Sequence, residues 1–174
     1  MKPIAGIDLS LTSTGLSCGD KQTVIQSKEK GVKRLFEIQS LMRMFLSDND
    51  FPFCVIEGYS FNSRNSQAHS IGELGGVVRL QMYTLGIPYV DVPPTSRAKF
   101  ATGKGNAGKS EVVSAVSART GITWSGAGAD DLCDAFILEE MGRTVVGANR
   151  FDWPKENCEA LSKIDWSELE KYYG

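Results

Sequence analysis

Histidine is nearly absent from this sequence: the 174 residues include one, His69, beside four cysteines, Cys18, Cys54, Cys133 and Cys158, that form no C-x-x-C pair. Zinc sites draw on closely spaced Cys and His, so these residues make a poor zinc site and the cysteines read as reduced, buried or incidental thiols. No apolar run approaches the roughly 20 residues of a membrane span, and the opening MKPIAGIDLS lacks the layout of a secretory signal. The expected setting is the cytosol, with no membrane partner. An excess of basic charge is missing too. Lys and Arg number 19 against 21 Asp and Glu, a net charge of −2, whereas a dedicated nucleic-acid binder is commonly basic. Taken as a total, the charge argues against nucleic acid.

What is present fits one globular domain, for which roughly 100–200 residues is usual. Short apolar runs bounded by turn residues predict strands over 3–9, 14–18 and 23–26, which form an antiparallel meander, and further strands over 53–56 and 88–92. Apolar residues at helical spacing predict helices over 32–46, 68–85, 110–119 and 129–141, with shorter ones over 95–100 and 167–172. Pro93-Pro94 is expected to break the chain. Residues 143–174 show little periodicity and three aromatic points, Trp153, Trp166 and Tyr172-Tyr173. The sum is an α/β protein.

Four carboxylates stand apart from the solvated acids because apolar residues surround them. Asp8 follows Ala5-Gly6-Ile7, Glu57 follows Cys54-Val55-Ile56, and Asp131 and Asp134 flank Leu132-Cys133 ahead of Ala135-Phe136. Asp131 and Asp134, three apart, share one helix surface. Asp130 or Asp131 alone could serve as a helix cap, but capping does not account for Asp134 or for two strands that each end in an acid. An isolated buried charge is costly. Magnesium takes oxygen ligands, usually one or two carboxylates plus phosphate oxygens, and two ions about 4 Å apart can clamp the attacking and leaving oxygens of a phosphodiester. The expectation is two magnesium ions per site, with manganese able to substitute.

From Pro94 to Ser110 the chain carries Arg97, Lys99, Lys104 and Lys109 and no acid. Such a glycine-rich basic segment suits phosphate contact, or is simply a solvated loop. Residues 103–110, GKGNAGKS, also fit G-x-x-x-x-G-K-[ST], so a P-loop-like nucleotide-binding protein is an alternative. A P-loop must leave directly from a buried strand; here polar residues and Pro93-Pro94 intervene.

Gly6-Ile7-Asp8 with Thr14-Gly15, Val55-Ile56-Glu57, and Asp131-Leu132-Cys133-Asp134-Ala135 together resemble the RuvC family of Holliday junction resolvases. The likeness extends through Asn65-Ser66-Gln67-Ala68 and Gly105-Asn106-Ala107-Gly108-Lys109-Ser110, over residues 4–142. Asp8-Leu9-Ser10 departs from the family's usual D-P-G, an extra residue lies between Glu57 and Phe61, and residues 143–174 match nothing in the family. The pattern is closer to phage-type members, which extends the expected setting to the cytosol of a prokaryote or an infected host.

The resemblance implies an RNase H-like fold with a mixed five-stranded sheet flanked by helices. Residues 1–142 would be the nuclease domain and 143–174 an extension of unknown role. It implies a magnesium-dependent endonuclease acting on branched DNA, the four-way junction above all, as a homodimer that makes paired symmetric nicks. Asp8, Glu57, Asp131 and Asp134 would hold the metal ions, and Lys109 would join them as a catalytic group at the scissile phosphate. Phe61, Arg64, Arg97, Lys99, Lys104 and Lys109 would contact DNA, Phe61 by wedging into the base stack. A branched-DNA-binding module without catalysis is a further alternative, which the full set of four carboxylates argues against. Charge distribution agrees with DNA better than the total does: residues 60–119 hold seven basic and three acidic side chains.

Overall fold

A computed structural model describes residues 2–58 and 67–174. The strands are β1 (Ile4–Asp8), β2 (Thr14–Cys18), β3 (Lys21–Ile25), β4 (Phe53–Glu57) and β5 (Tyr89–Val92). The main helices are α1 (Gly31–Asp48), α2 (Gln67–Leu85), α3 (Pro94–Thr102), α4 (Lys109–Thr120) and α5 (Ala129–Val145). The strands form one mixed sheet in the order β3-β2-β1-β4-β5. The meander β1–β2–β3 is antiparallel, while β4 runs parallel to both β1 and β5. This is the α/β class and the five-stranded mixed sheet expected from the sequence.

Successive strand residues point to opposite faces, and the sheet is apolar on both. One face sends Ala5, Ile7, Leu16, Cys54 and Ile56 into a core with α1 and α2. The other sends Ile4, Phe53, Val55, Val90 and Val92 into a core with α3, α4 and α5. Asp8 is in phase with Ile4, and Glu57 with Phe53 and Val55, so both acids leave the sheet on the side of α5. The β1–β4 register, Ile7 opposite Ile56, sets them at neighbouring strand ends.

Helix α5 crosses β1 and β2 where those strands lack side chains. A methyl group at Gly6 would lie 1.9 Å from the Ala135 carbonyl oxygen and 2.5 Å from the Glu139 nitrogen; one at Gly15 would lie 2.1 Å from the Asp131 carbonyl oxygen. These neighbours are backbone atoms, which cannot step aside without moving the helix.

Two segments differ from expectation. Pro93-Pro94 starts a helix rather than interrupting one: Pro94 occupies the first position of α3, where its missing N–H costs nothing and its fixed φ suits the helix. Residues after α5 add helices that the sequence did not predict, α6 (Lys155–Cys158) and a 3-10 helix (Glu159–Lys163), before α7 (Ser167–Tyr173), which falls where a short helix was expected. Trp153, Ala160, Trp166 and Leu169 join the core beneath α3 and α5. Asn157 Nδ2 donates to the Phe100 carbonyl at 2.8 Å, and the Phe100 and Trp153 rings lie 4.5 Å apart. The four cysteines are free thiols, three of them buried. Among the described residues no helix is long and apolar enough to cross a membrane.

The core also contains Glu139 and Glu140, both fully buried in α5. Ser17 Oγ and the Gly19 N–H donate to Glu139, at 2.7 and 3.0 Å. Arg150 Nε donates to Glu140 at 2.6 Å while its Nη2 lies 3.1 Å from Glu139, and Trp153 Nε1 donates to Glu140 at 3.3 Å. Burial pushes the Glu139 carboxyl above the usual range, opposed by Arg150 and the Ser17 hydrogen bond. Removing one partner of a buried ion pair strands a charge and typically costs about 3–5 kcal/mol. Arg150→Met leaves Arg143, 3.6 Å from Glu139 and 3.7 Å from Glu140, to hold both carboxylates. It is therefore expected to lower stability by about 3 kcal/mol, the lower end of that range, in urea denaturation, with a deficit that shrinks toward acid pH, where Glu139 takes up a proton.

Candidate active site

The end of β1, the end of β4 and the first two turns of α5 meet at one edge of the sheet. Asp8, Asp131 and Asp134 are buried there, and Glu57 is largely so. The two glycine contacts are what make this possible. With α5 seated against β1 and β2, its residues at positions i and i+3 face the acid that closes β1. All four carboxylates singled out in the sequence thus fall in one electrostatic neighbourhood. Burial holds the Asp8 carboxyl well above its ordinary value, and Glu57, Asp134 and Asp131 raise it further. Asp134 is pushed up to about 7, first by burial and then by Glu57, against the pull of Arg97.

Arg97 is the cation among these acids. It lies in the first turn of α3, and its side chain, 12% exposed, turns inward. Nε donates to Glu57 Oε2 and Nη1 donates to Asp134 Oδ1. Burial works against its charge, but Glu57, Asp134 and Asp8 more than compensate. Expected on a phosphate-contacting surface, Arg97 instead bridges two of the acids. The sequence offered no signal for this beyond a lone arginine soon after Pro93-Pro94, since its partners lie 40 and 37 positions away.

The other basic residues lie further out. Lys109, 69% exposed, begins α4; its Nζ donates to Asp130 at 2.5 Å and stands 3.8 Å from Asp131. That hydrogen bond raises the Lys109 ammonium and lowers the Asp130 carboxyl. Asp130 is therefore the lysine's partner and not a cap: the α5 cap position is Gly128 in a left-handed conformation, without a side-chain cap bond. Lys104 is exposed and pairs with Glu111 at 3.2 Å, whereas Lys99 pairs with Glu159 at 3.0 Å. Phe61 and Arg64 lie outside the described residues. Residues 103–110 leave from helix α3, not from a strand, so they lack the strand-to-helix setting of a P-loop.

Chemically, the edge offers hard carboxylate oxygens short of positive charge, the donor type that suits magnesium or manganese. Among the described residues no three His, Cys, Asp or Glu side chains already converge as a closed ligand set. The donors fit a divalent ion in kind, and a guanidinium stands between two of them.

No protein-family model matches the chain. Over 121 residues, 70% of this chain and 74% of the relative, it is 29% identical to the crossover junction endodeoxyribonuclease RuvC of Carboxydothermus hydrogenoformans. Its fold is similar to that of Thermus thermophilus RuvC in complex with Holliday junction substrate, with a TM-score of 0.67 and 21% identity, covering 88% of this chain and 100% of that one. A second Thermus thermophilus RuvC structure gives 0.65 and 21%, covering 87% and 99%. The RuvC resemblance and the RNase H-like fold read from the sequence are both borne out.

A raised carboxyl has a stability consequence. Asp134 binds its proton up to about pH 7 in the fold but only to 3.8 as an ordinary carboxyl. Between those values the native state holds the extra proton, so stability falls as pH rises. The metal-free protein is expected to lose stability across that window, read as its urea midpoint, and Asp134→Asn to flatten the dependence.

Proposed function

We propose that this chain is a RuvC-type, divalent-metal-dependent endonuclease that resolves four-way DNA junctions by paired symmetric nicks. The observation that carries this reading is the meeting of Asp8, Glu57, Asp131 and Asp134 at one edge of an RNase H-like sheet. The sequence and fold likeness to RuvC supports it. Magnesium held by these four carboxylates, with manganese as a substitute, would supply an activated water and charge neutralisation for in-line displacement at a phosphodiester. The chain's own groups do the rest. Lys109, exposed beside Asp130 and Asp131, would exchange its carboxylate partner for the scissile phosphate and stabilise the charge developing there. Lys104 and Lys109 flank the glycine-rich turn between α3 and α4 and would set the register of the DNA backbone, as phosphate contacts do. Phe61, Arg64, Arg97 and Lys99 complete the proposed DNA contacts, and residues 1–142 are proposed as the nuclease domain.

Two nicks related by symmetry call for two copies of the site, hence a homodimer whose two-fold axis matches that of the junction. Exposed apolar side chains on α1 (Val32, Phe36 and Met44) and on α2 (Leu80 and Tyr83) favour this, since they are unusual on a surface that stays uncovered. The proposed setting is the cytosol, where branched DNA arises.

Incubation with labelled four-way junction, fork, plain duplex and RNA–DNA hybrid, with and without magnesium, tests the reading. Symmetric, magnesium-dependent nicks in the junction are expected, and cleavage confined to the hybrid would redirect it to an RNase H activity. Asp8→Asn is expected to abolish cleavage while leaving junction binding nearly intact; normal cutting by that variant would sink the metal assignment. Lys109→Ala should slow cleavage by about a hundredfold or more, as loss of one electrostatic stabiliser does, with no ATP binding in the parent protein. Tight ATP binding would return residues 103–110 to a nucleotide role.

A further inference from the structure

Four acids gather at the sheet edge, yet they do not gather as a metal site does. Arg97 separates two of them, with one nitrogen on Glu57 and another on Asp134. Its side chain is largely buried, and both carboxylates it touches are among the four expected to bind divalent ions. A cation and the guanidinium would compete for the same oxygens, and their like charges would repel in a site poorly reached by water. Magnesium also demands near-ideal octahedral contacts at about 2.0–2.1 Å, a shell into which a guanidinium bonded to the same oxygens intrudes.

We propose that Arg97 is a built-in counter-ion that holds Glu57 and Asp134 in the metal-free protein and is exchanged for a divalent ion when the site loads. This rests on the metal-dependent reading above. Three features of the surroundings agree with it. The backbone of α3 is held from behind, by Asn157 on the Phe100 carbonyl and by Trp153 against the Phe100 ring, so the exchange belongs to the side chain and not to the helix. The carboxylates without Arg97 would be an unpaired buried cluster, which is costly; with it the site folds before metal arrives. An arginine displaced from Glu57 and Asp134 keeps its charge and becomes a free donor beside the carboxylates, where a phosphodiester must lie to be cut. Arg97 then has two successive partners, carboxylate first and phosphate second, which reconciles its buried position with the DNA contact expected from the sequence.

Calorimetric titration with magnesium alone, in the absence of DNA, separates the possibilities. Arg97→Ala is expected to bind magnesium about tenfold or more tightly than the parent, a change of about 1.4 kcal/mol or more. Arg97→Gln, which keeps an amide for one carboxylate but no charge, should move the same way and covers the case in which the alanine variant does not fold without metal. In the parent, the Arg97 Nε–H resonance should shift and lose protection from solvent exchange as magnesium saturates the site. Equal or weaker magnesium binding in both variants, or an Arg97 signal unchanged at saturation, overturns the proposal. If Asp8→Asn abolishes magnesium binding while the Arg97 variants bind no tighter than the parent, this inference fails alone. If neither the parent nor the Arg97 variants bind magnesium, the metal-dependent reading fails with it.

Discussion

The seat of α5 on β1 and β2 is the constraint on which the rest depends. It exists because Gly6 and Gly15 present no side chain to the helix, so the helix backbone lies directly on the sheet. That closeness turns two acids in one helical turn and two acids at strand ends into a single cluster. It also seals the core between α5 and the β1–β4 pair, where Ile4, Val55 and Phe136 are buried together. Stability and the chemical site therefore draw on the same contact: a side chain at either glycine would push α5 away, opening the core and separating Asp131 from Asp8 in one move.

The same helix carries two sets of buried acids treated in opposite ways. Glu139 and Glu140 are saturated: Arg150 reaches both, and Ser17, Gly19 and Trp153 supply hydrogen bonds. The acids around Asp8 share one buried guanidinium and the exposed Lys109. The first set behaves as structure, since every oxygen has a fixed partner. The second has little positive charge to offset its burial, so burial first, and the neighbouring carboxylates after it, make Asp8 and Asp134 hold their protons to higher pH than ordinary carboxyls. Under-neutralised carboxylates in a buried position are what a protein offers to an incoming cation.

Much of this was legible in the sequence, and the rest was not for identifiable reasons. The strands showed as short apolar runs and α5 as an apolar helix. Asp8, Glu57, Asp131 and Asp134 were visible because acids flanked by Ile, Val, Cys and Phe have no solvated face to occupy. The Arg97 ion pairs were not visible because a segment of basic residues without acids reads as surface, and the partners that pull it inward come from β4 and α5. The Lys99 pairing was equally out of sight, its partner Glu159 lying 60 positions on. Residues after α5 lacked periodicity because their apolar side chains dock singly, Trp153 against Phe100 and Tyr172 against Phe53, so no repeating stripe was needed.

The saturated pair has one further effect. Asp134 and Glu139 are five residues apart, roughly 8 Å along the helix axis. An α-helix lying on a bare glycine strip is free, in principle, to roll about its own length, because the strip offers no knobs to stop it. The ion pairs of Glu139 and Glu140 to Arg150, and the hydrogen bond that Ser17 donates to Glu139, stop that roll: turning the helix by one residue, about 100°, would break them all. They act as a key in a shaft, fixing the angle at which Asp131 and Asp134 point from a place remote from the chemistry itself.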